Sequence, residues 1–202
     1  EPNVRKSVTL PEPHNDEERW YCNRLVNEAL NVLHLNGGGP VHINVPITEP
    51  LFDYDVMQLP DERRITVYPA VTNDTSVYEI AADFFCSKKP MVVLGQLIPE
   101  VVGNLLEPIE EIKKVAVVIQ EKLADDDIGP SQPLDEALMM IEGDDSYRPD
   151  HLIYIGGTIV SKRLRQFLRK SECKMSIVVN ERGDCCDTFM HTTAIIQGSA
   201  EE

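Results

Sequence analysis

Positive charge is scarce in this chain. Its 202 residues carry 19 Lys and Arg against 34 Asp and Glu, a formal net charge of −15 at pH 7. Such a surface repels phosphate backbones and anionic bilayers, so nucleic acid is not an expected partner. Long apolar runs are missing too. No stretch approaches the ~20 residues that cross a bilayer, and no membrane insertion is expected. No secretory signal pattern is visible. The chain does not begin with Met, and it is expected to be a piece of a longer polypeptide. Cysteine is sparse and irregular: Cys22, Cys86, Cys173, Cys185 and Cys186 are odd in number and follow no framework spacing. That predicts reduced thiols and a cytoplasmic location. Cys185 and Cys186, with His191 nearby, lack a Cys-x-x-Cys spacing and a second ligand cluster. They read as two thiols in a turn after Gly183-Asp184, and no metal site is expected.

What is present is a regular alternation. With 42% hydrophobic residues the chain can build a core. Residues 1–14 are polar with three prolines and predict extended coil. Asn15 can cap a helix over 15–33, with Glu18 as the reciprocal partner three residues on. Cys22, Leu25, Val26, Ala29, Leu30 and Leu33 form its apolar stripe. Gly37, Gly38 and Gly39 stop that helix, and Val41, Ile43 and Val45 read as a short buried strand ended by Pro46 and Pro50. Residues 47–70, with Pro50, Pro60 and Pro69, predict a surface crossover linker.

A helix over 74–85 comes next. Strands at 91–94, 115–119, 152–155, 175–179 and 192–196 then alternate with helices at 99–106, 133–141 and 162–169. This predicts an α/β fold: a Rossmann-like parallel sheet with helices on both faces, preceded by a helix-strand remnant of another α/β domain. The expected division is 1–52 for the remnant and the start of the linker, and 53–202 for the sheet domain. The acidic clusters Glu110-Glu111, Asp125-Asp126-Asp127 and Asp144-Asp145 read as solvated surface.

In an open parallel sheet, ligands bind beyond the carboxyl ends of the strands. The 152–155 strand ends in Gly156-Gly157-Thr158 and leads to a helix opening near Ser161. Lys162 and Arg163 stand in its first turn. Cations there oppose the helix dipole, by roughly 0.3–1 kcal/mol each when exposed. A carboxylate held beside them would relieve that conflict, so Gly156, Gly157 and Ser161 are a candidate anion-binding loop and Lys162 and Arg163 candidate substrate ligands. The run Lys162, Arg163, Arg165, Arg169 and Lys170 also fits a plain solvated basic face. Gly156-Gly157 is not a dinucleotide fingerprint, since the third glycine and the downstream acid are missing. His42 and Asn44 sit within a strand and are expected to be packed and hydrogen-bonded rather than catalytic.

Two stretches carry a resemblance. Gly37-Gly38-Gly39-Pro40-Val41-His42-Ile43-Asn44-Val45-Pro46, followed by Glu49-Pro50-Leu51, is similar to the end of the pyrimidine-binding domain of thiamine-diphosphate enzymes. Within those it looks most like the MenD family of menaquinone biosynthesis. Asp150-His151-Leu152-Ile153-Tyr154-Ile155-Gly156-Gly157, with Ser161-Lys162-Arg163-Leu164, resembles the strand-loop-helix of that family's central domain.

The resemblance implies a three-domain enzyme. Its first domain binds the aminopyrimidine of thiamine diphosphate, its last binds the diphosphate through Mg²⁺ (or Mn²⁺), and its middle one is Rossmann-like. The implied reaction decarboxylates 2-oxoglutarate and adds the succinyl-semialdehyde carbanion to isochorismate. In that family a Lys-Arg pair at the place of Lys162 and Arg163 contacts substrate carboxylates. The glutamate that activates the aminopyrimidine would precede residue 1, and the Gly-Asp-Gly diphosphate motif would follow residue 202. Gly143-Asp144-Asp145 and Gly183-Asp184-Cys185 lack its third glycine and its asparagines. No catalytic residue is therefore expected in this segment, which alone should neither bind the cofactor tightly nor turn over. The full-length protein is expected to be a homo-oligomer, a dimer or tetramer. Two other readings stay open: the central domain of an acetolactate synthase-like enzyme that holds a nucleotide, and a stand-alone carboxylate-binding regulatory module.

Overall fold

Asn15 opens the first helix through its side chain. Its Oδ1 accepts the Glu18 N–H at 2.9 Å and caps α1 (Asp16–His34). The Glu18 carboxylate reaches back to the His14 N–H at 2.6 Å, one residue earlier than a reciprocal capping box places it. The computed structural model describes residues 3–49, 56–69, 75–121 and 133–201. It divides into two units, Glu1–Thr66 and Val67–Glu202. Pro50 and Leu51, the start of the 74–85 helix at Asp74, and the Asp125-Asp126-Asp127 cluster lie outside the described residues.

In the first unit, Leu25 and Ala29 of α1 pack with Val8 in a small core. Leu30 is 46% exposed, so the apolar stripe is narrower than its spacing predicts. Gly38, at φ +63°, follows the last turn, where an added Cβ would collide with the Leu33 carbonyl. The chain then forms β2 (Val41–Asn44), which pairs in parallel with β1 (Lys6–Thr9), Lys6 opposite Val41. The expected coil over 1–14 is thus corrected, because a four-residue strand whose partner lies 35 residues on has no local signature. β2 alternates between half-buried and exposed positions instead of being buried throughout. His42 falls on the exposed face, so it is not packed as expected, but it is hydrogen-bonded as expected, with its Nδ1 3.3 Å from Ser7 Oγ.

Residues 63–65 are pinned to α1. Asn27 donates to the Arg63 carbonyl at 3.0 Å and accepts the Ile65 N–H at 2.8 Å, while Asn31 donates to the Ile65 carbonyl at 2.9 Å. Asn27 and Asn31 are four residues apart and share a helix face. The end of the segment expected to be a surface crossover linker is therefore tied to α1 at residues 63–65 and runs on into a strand.

That strand, β3 (Thr66–Pro69), edges the six-stranded sheet of the second unit. The sheet's order is β3-β8-β7-β6-β4-β5, with α2 (Ser76–Cys86), β4 (Pro90–Leu94), α3 (Pro99–Ile112), β5 (Val117–Gln120), α4 (Leu134–Met140), β6 (His151–Ile155), α5 (Lys162–Arg169), β7 (Met175–Asn180) and β8 (Ala194–Gln197) following in sequence. β4 lies parallel between β5 and β6, with Met91 opposite both Val117 and Leu152. β6, β7 and β8 continue in parallel. The α/β prediction holds: this is a parallel sheet with helices.

All five residues of β4 are buried, as expected of a central parallel strand covered on both faces. Val92 and Leu94 join Phe84 of α2 and Val102, Leu105 and Ile109 of α3 in one core. α3 runs six residues past the predicted end at 106, straight through Pro108. Proline there removes the bond to the Asn104 carbonyl, an interior cost of ~3 kcal/mol. Buried Leu105 and Ile109 on either side supply the packing that carries the helix past it.

Candidate functional site

Strand order fixes where the chain can bind. β4 leads through α3 outward to β5, whereas β6 leads through α5 the other way to β7. The connections diverge between β4 and β6, which is the topological switch point of an open sheet. Gly95 follows β4 there, and Gly156-Gly157 follows β6.

The two loops bond to each other across that point. The Gly95 N–H donates to the Ile155 carbonyl at 2.9 Å, the Gly157 N–H to the Gln96 carbonyl at 2.7 Å, and the Gln96 N–H to the Thr158 carbonyl at 3.2 Å. The Tyr154 hydroxyl donates to the Gly157 carbonyl. Tyr154 is 5% exposed and packs edge-on to Phe189 with centroids 5.2 Å apart. Burial, with Cys186 and Glu121 nearby, pushes its phenol up to about 12. Gly157 thus serves a backbone zipper, its N–H facing a carbonyl of the chain, and Gly156 lies where an added Cβ would collide with the Gln96 carbonyl.

Ser161 caps α5 through its side chain, its Oγ accepting the Leu164 N–H at 3.0 Å. The same Oγ donates to Asp135 Oδ1 at 2.6 Å, and the Ser161 N–H donates to Glu121 Oε1 at 2.7 Å. Glu121 is 4% exposed and directly follows β5. Two carboxylates of the chain therefore stand at the positive end of α5, where the dipole favours them. The anion that the basic first turn calls for is supplied, at least in part, from within. Glu121 was missed in the sequence, although an acid placed right after a buried strand, at the ligand-binding edge, is a usable signal.

Arg163 is half-buried and lines a groove between α4 and α5. Its Nη1 stands 3.3 Å from Glu142 Oε2, a carboxylate that is largely exposed. Such a contact contributes ~0–1 kcal/mol and exchanges readily for another carboxylate. Lys162 is exposed, and no ion pair involving it is recorded among the described residues. The structure brings Ser161, Lys162 and Arg163 together at one helix end, while Gly157 is hydrogen-bonded to the neighbouring loop and Gly156 is packed closely against it.

Among the described residues, no group of three or more His, Cys, Asp and Glu side chains is placed to hold a metal ion. A Mg²⁺-bound diphosphate finds no donor set in them. No described helix is long and apolar enough to cross a membrane.

No protein-family model matches the chain. Curated proteins do. The chain is 36% identical over 204 residues to the 2-succinyl-5-enolpyruvyl-6-hydroxy-3-cyclohexene-1-carboxylate synthase of Bacteroides thetaiotaomicron. It is 37% identical over 211 residues to the synthase of that name from Bacteroides fragilis, and 35% over 204 residues to that from Phocaeicola vulgatus. Each match covers 96% of this chain and 36% of the relative. The chain thus spans about a third of the length of the curated relatives it matches. Along nearly its whole length the chain is similar to one part of a 2-succinyl-5-enolpyruvyl-6-hydroxy-3-cyclohexene-1-carboxylate synthase.

Proposed function

We propose that this chain is the carboxylate-holding part of a thiamine-diphosphate-dependent synthase in menaquinone biosynthesis. The full-length enzyme decarboxylates 2-oxoglutarate and adds the resulting four-carbon unit to isochorismate. Residues 1–52 are the end of a pyrimidine-binding domain with the start of a linker, and residues 53–202 a central Rossmann-like domain. The full-length protein is a cytoplasmic homo-oligomer.

One observation carries this reading: two adjacent cations, Lys162 and Arg163, open a capped helix within a segment homologous to that synthase. Both reactants carry carboxylates. Fixed cations on a rigid helix orient such anions and stabilise charge as it moves. Ser161, anchored by Glu121 and Asp135, sets the direction of the first turn and so of both side chains. Thiamine diphosphate, when bound, supplies the electron sink for decarboxylation. The described residues offer no place for its diphosphate and metal, so no step of that chemistry is assigned to them.

The zipped loops between β4 and β6 weigh against the reading in which this domain holds a nucleotide. The crevice where a nucleotide would lie is bridged by backbone hydrogen bonds.

The test is Lys162→Ala and Arg163→Ala in the full-length enzyme. The expected result is a loss of synthase activity of about tenfold or more for each, the scale of one charge-assisted contact. A smaller loss makes the pair ordinary surface. For the segment alone, titration with thiamine diphosphate and Mg²⁺ is expected to give no micromolar binding.

A further inference from the structure

We infer that the edge of the sheet opposite the Lys162–Arg163 site holds a second anion site, built for a small phosphate ester with an apolar body. Two lysine pairs converge there. Lys88-Lys89 immediately precede β4 and Lys113-Lys114 lie just before β5. These strands are parallel neighbours with Met91 opposite Val117, so the register sets the pairs side by side at the amino ends. All four lysines line one hollow of about 420 Å³ and no acidic residue lines it. In a chain with 34 acids and 19 lysines and arginines, that concentration runs against the overall charge.

The backbone beneath the lysines is fixed. Asp150 accepts the Lys88 and Lys89 N–H groups at 3.3 and 3.0 Å. The Lys113 N–H donates to Ile109 at 2.9 Å and the Lys114 N–H to Glu111 at 3.2 Å, closing the last turn of α3. The ammonium groups themselves are lightly held. Lys113 pairs with Glu110 at 2.6 Å and Lys114 with Glu111 at 2.5 Å, across exposed i,i+3 contacts of a kind that contribute little. Helix C-termini at this edge attract lysines, each with about half a negative charge, and Glu110, Glu111 and Asp150 add carboxylates beside the four ammonium groups, but none of these acids lines the hollow itself.

The rest of the lining selects the ligand. Val115, Val117 and Tyr147 are each more than half exposed within the hollow. Apolar surface beside compact ammonium charges fits a phosphate group joined to an apolar or aromatic body. A concave site on a chain of net charge −15 suits a small anion and repels an extended polyanion.

The site is independent of the Lys162–Arg163 reading, and its test reads binding alone. The full chain is titrated by calorimetry with 1-naphthyl phosphate, and separately with inorganic phosphate. The expected result is saturable binding of the ester, about tenfold tighter than inorganic phosphate and weakening as salt rises. Lys89→Gln with Lys114→Gln should weaken both ligands about tenfold or more without shifting Tm. Tyr147→Ala should weaken the ester and leave inorganic phosphate unchanged. Three outcomes would overturn the site: no saturation by the ester in the millimolar range, unaltered affinity in the double lysine variant, or loss of binding in Lys162→Gln with Arg163→Gln instead.

Discussion

Glu121 Oε1 accepts the backbone N–H of Ser161 at 2.7 Å, across 40 residues of sequence. One end of this bond is a buried acid at the tip of β5, and the other is the cap of the helix that carries Lys162 and Arg163. It couples the sheet to the orientation of the two cations.

Removing that acid should loosen α5. Glu121→Ala takes a charge-assisted acceptor from a helix terminus and leaves a donor without its partner, a cost of about 1–3 kcal/mol. Glu121→Gln keeps an acceptor oxygen in the same place and should recover part of the loss. Urea unfolding of both variants gives the comparison. If Glu121→Ala proves as stable as the parent, the bond does not anchor the helix.

The two glycines after β6 should respond differently to alanine. Gly156 has φ +94°, and an added Cβ would lie 2.7 Å from the Gln96 carbonyl and 2.9 Å from Leu97 Cδ2. Strain and collision together predict a cost of about 1–3 kcal/mol or more. Gly157 has no positive φ, and its nearest neighbour would be the Gln96 carbonyl at 3.4 Å. Gly157→Ala should cost less than about 1 kcal/mol. Thermal unfolding ranks them, and equal costs would contradict the zipper geometry.

Much of this fold is legible in the sequence, because its signals are local. The helix α5 spans 162–169 as predicted, and Ser161, expected in an anion-binding loop, is its cap. Where partners are distant, the local signals fail. β1 needs β2, β3 needs the sheet edge, and α3 passes Pro108 only because Leu105 and Ile109 find a core. The site divides in the same way. Lys162 and Arg163 stand out as cations in a first turn, whereas Glu121 is silent until β5 is seen to end beside Ser161.

Tyr154 should ionise late. Its phenol, held up to about 12 chiefly by burial, is compared with an ordinary value near 10. The neutral form is favoured in the folded state. Its stabilising contribution is therefore complete below about pH 10 and is lost as pH rises towards 12. Absorbance at 295 nm should show a late component of one tyrosine's amplitude near pH 12. In Tyr154→Phe that late component should vanish, with a cost of about 1 kcal/mol for the lost bond to the Gly157 carbonyl. A late component that survives in Tyr154→Phe belongs to another residue.

Asp150 should make the second unit acid-sensitive. Burial alone would raise its carboxyl, but hydrogen bonds from His151 and from the Lys89 and Lys88 N–H groups outweigh it and hold it below the usual range. The ionised form is favoured in the folded state, so the unfolded chain takes up the extra proton. The contribution is present above about pH 4 and is lost as pH falls through the lowered value. Asp150→Asn keeps one acceptor oxygen for two backbone donors and removes the charge beside His151, which stands 3.2 Å away. Its cost at pH 7 should be about 1–3 kcal/mol and should shrink steadily as pH falls below 4. Urea midpoints of both proteins from pH 3 to 7 measure the gap, and a gap constant across that range would remove Asp150 as the group responsible.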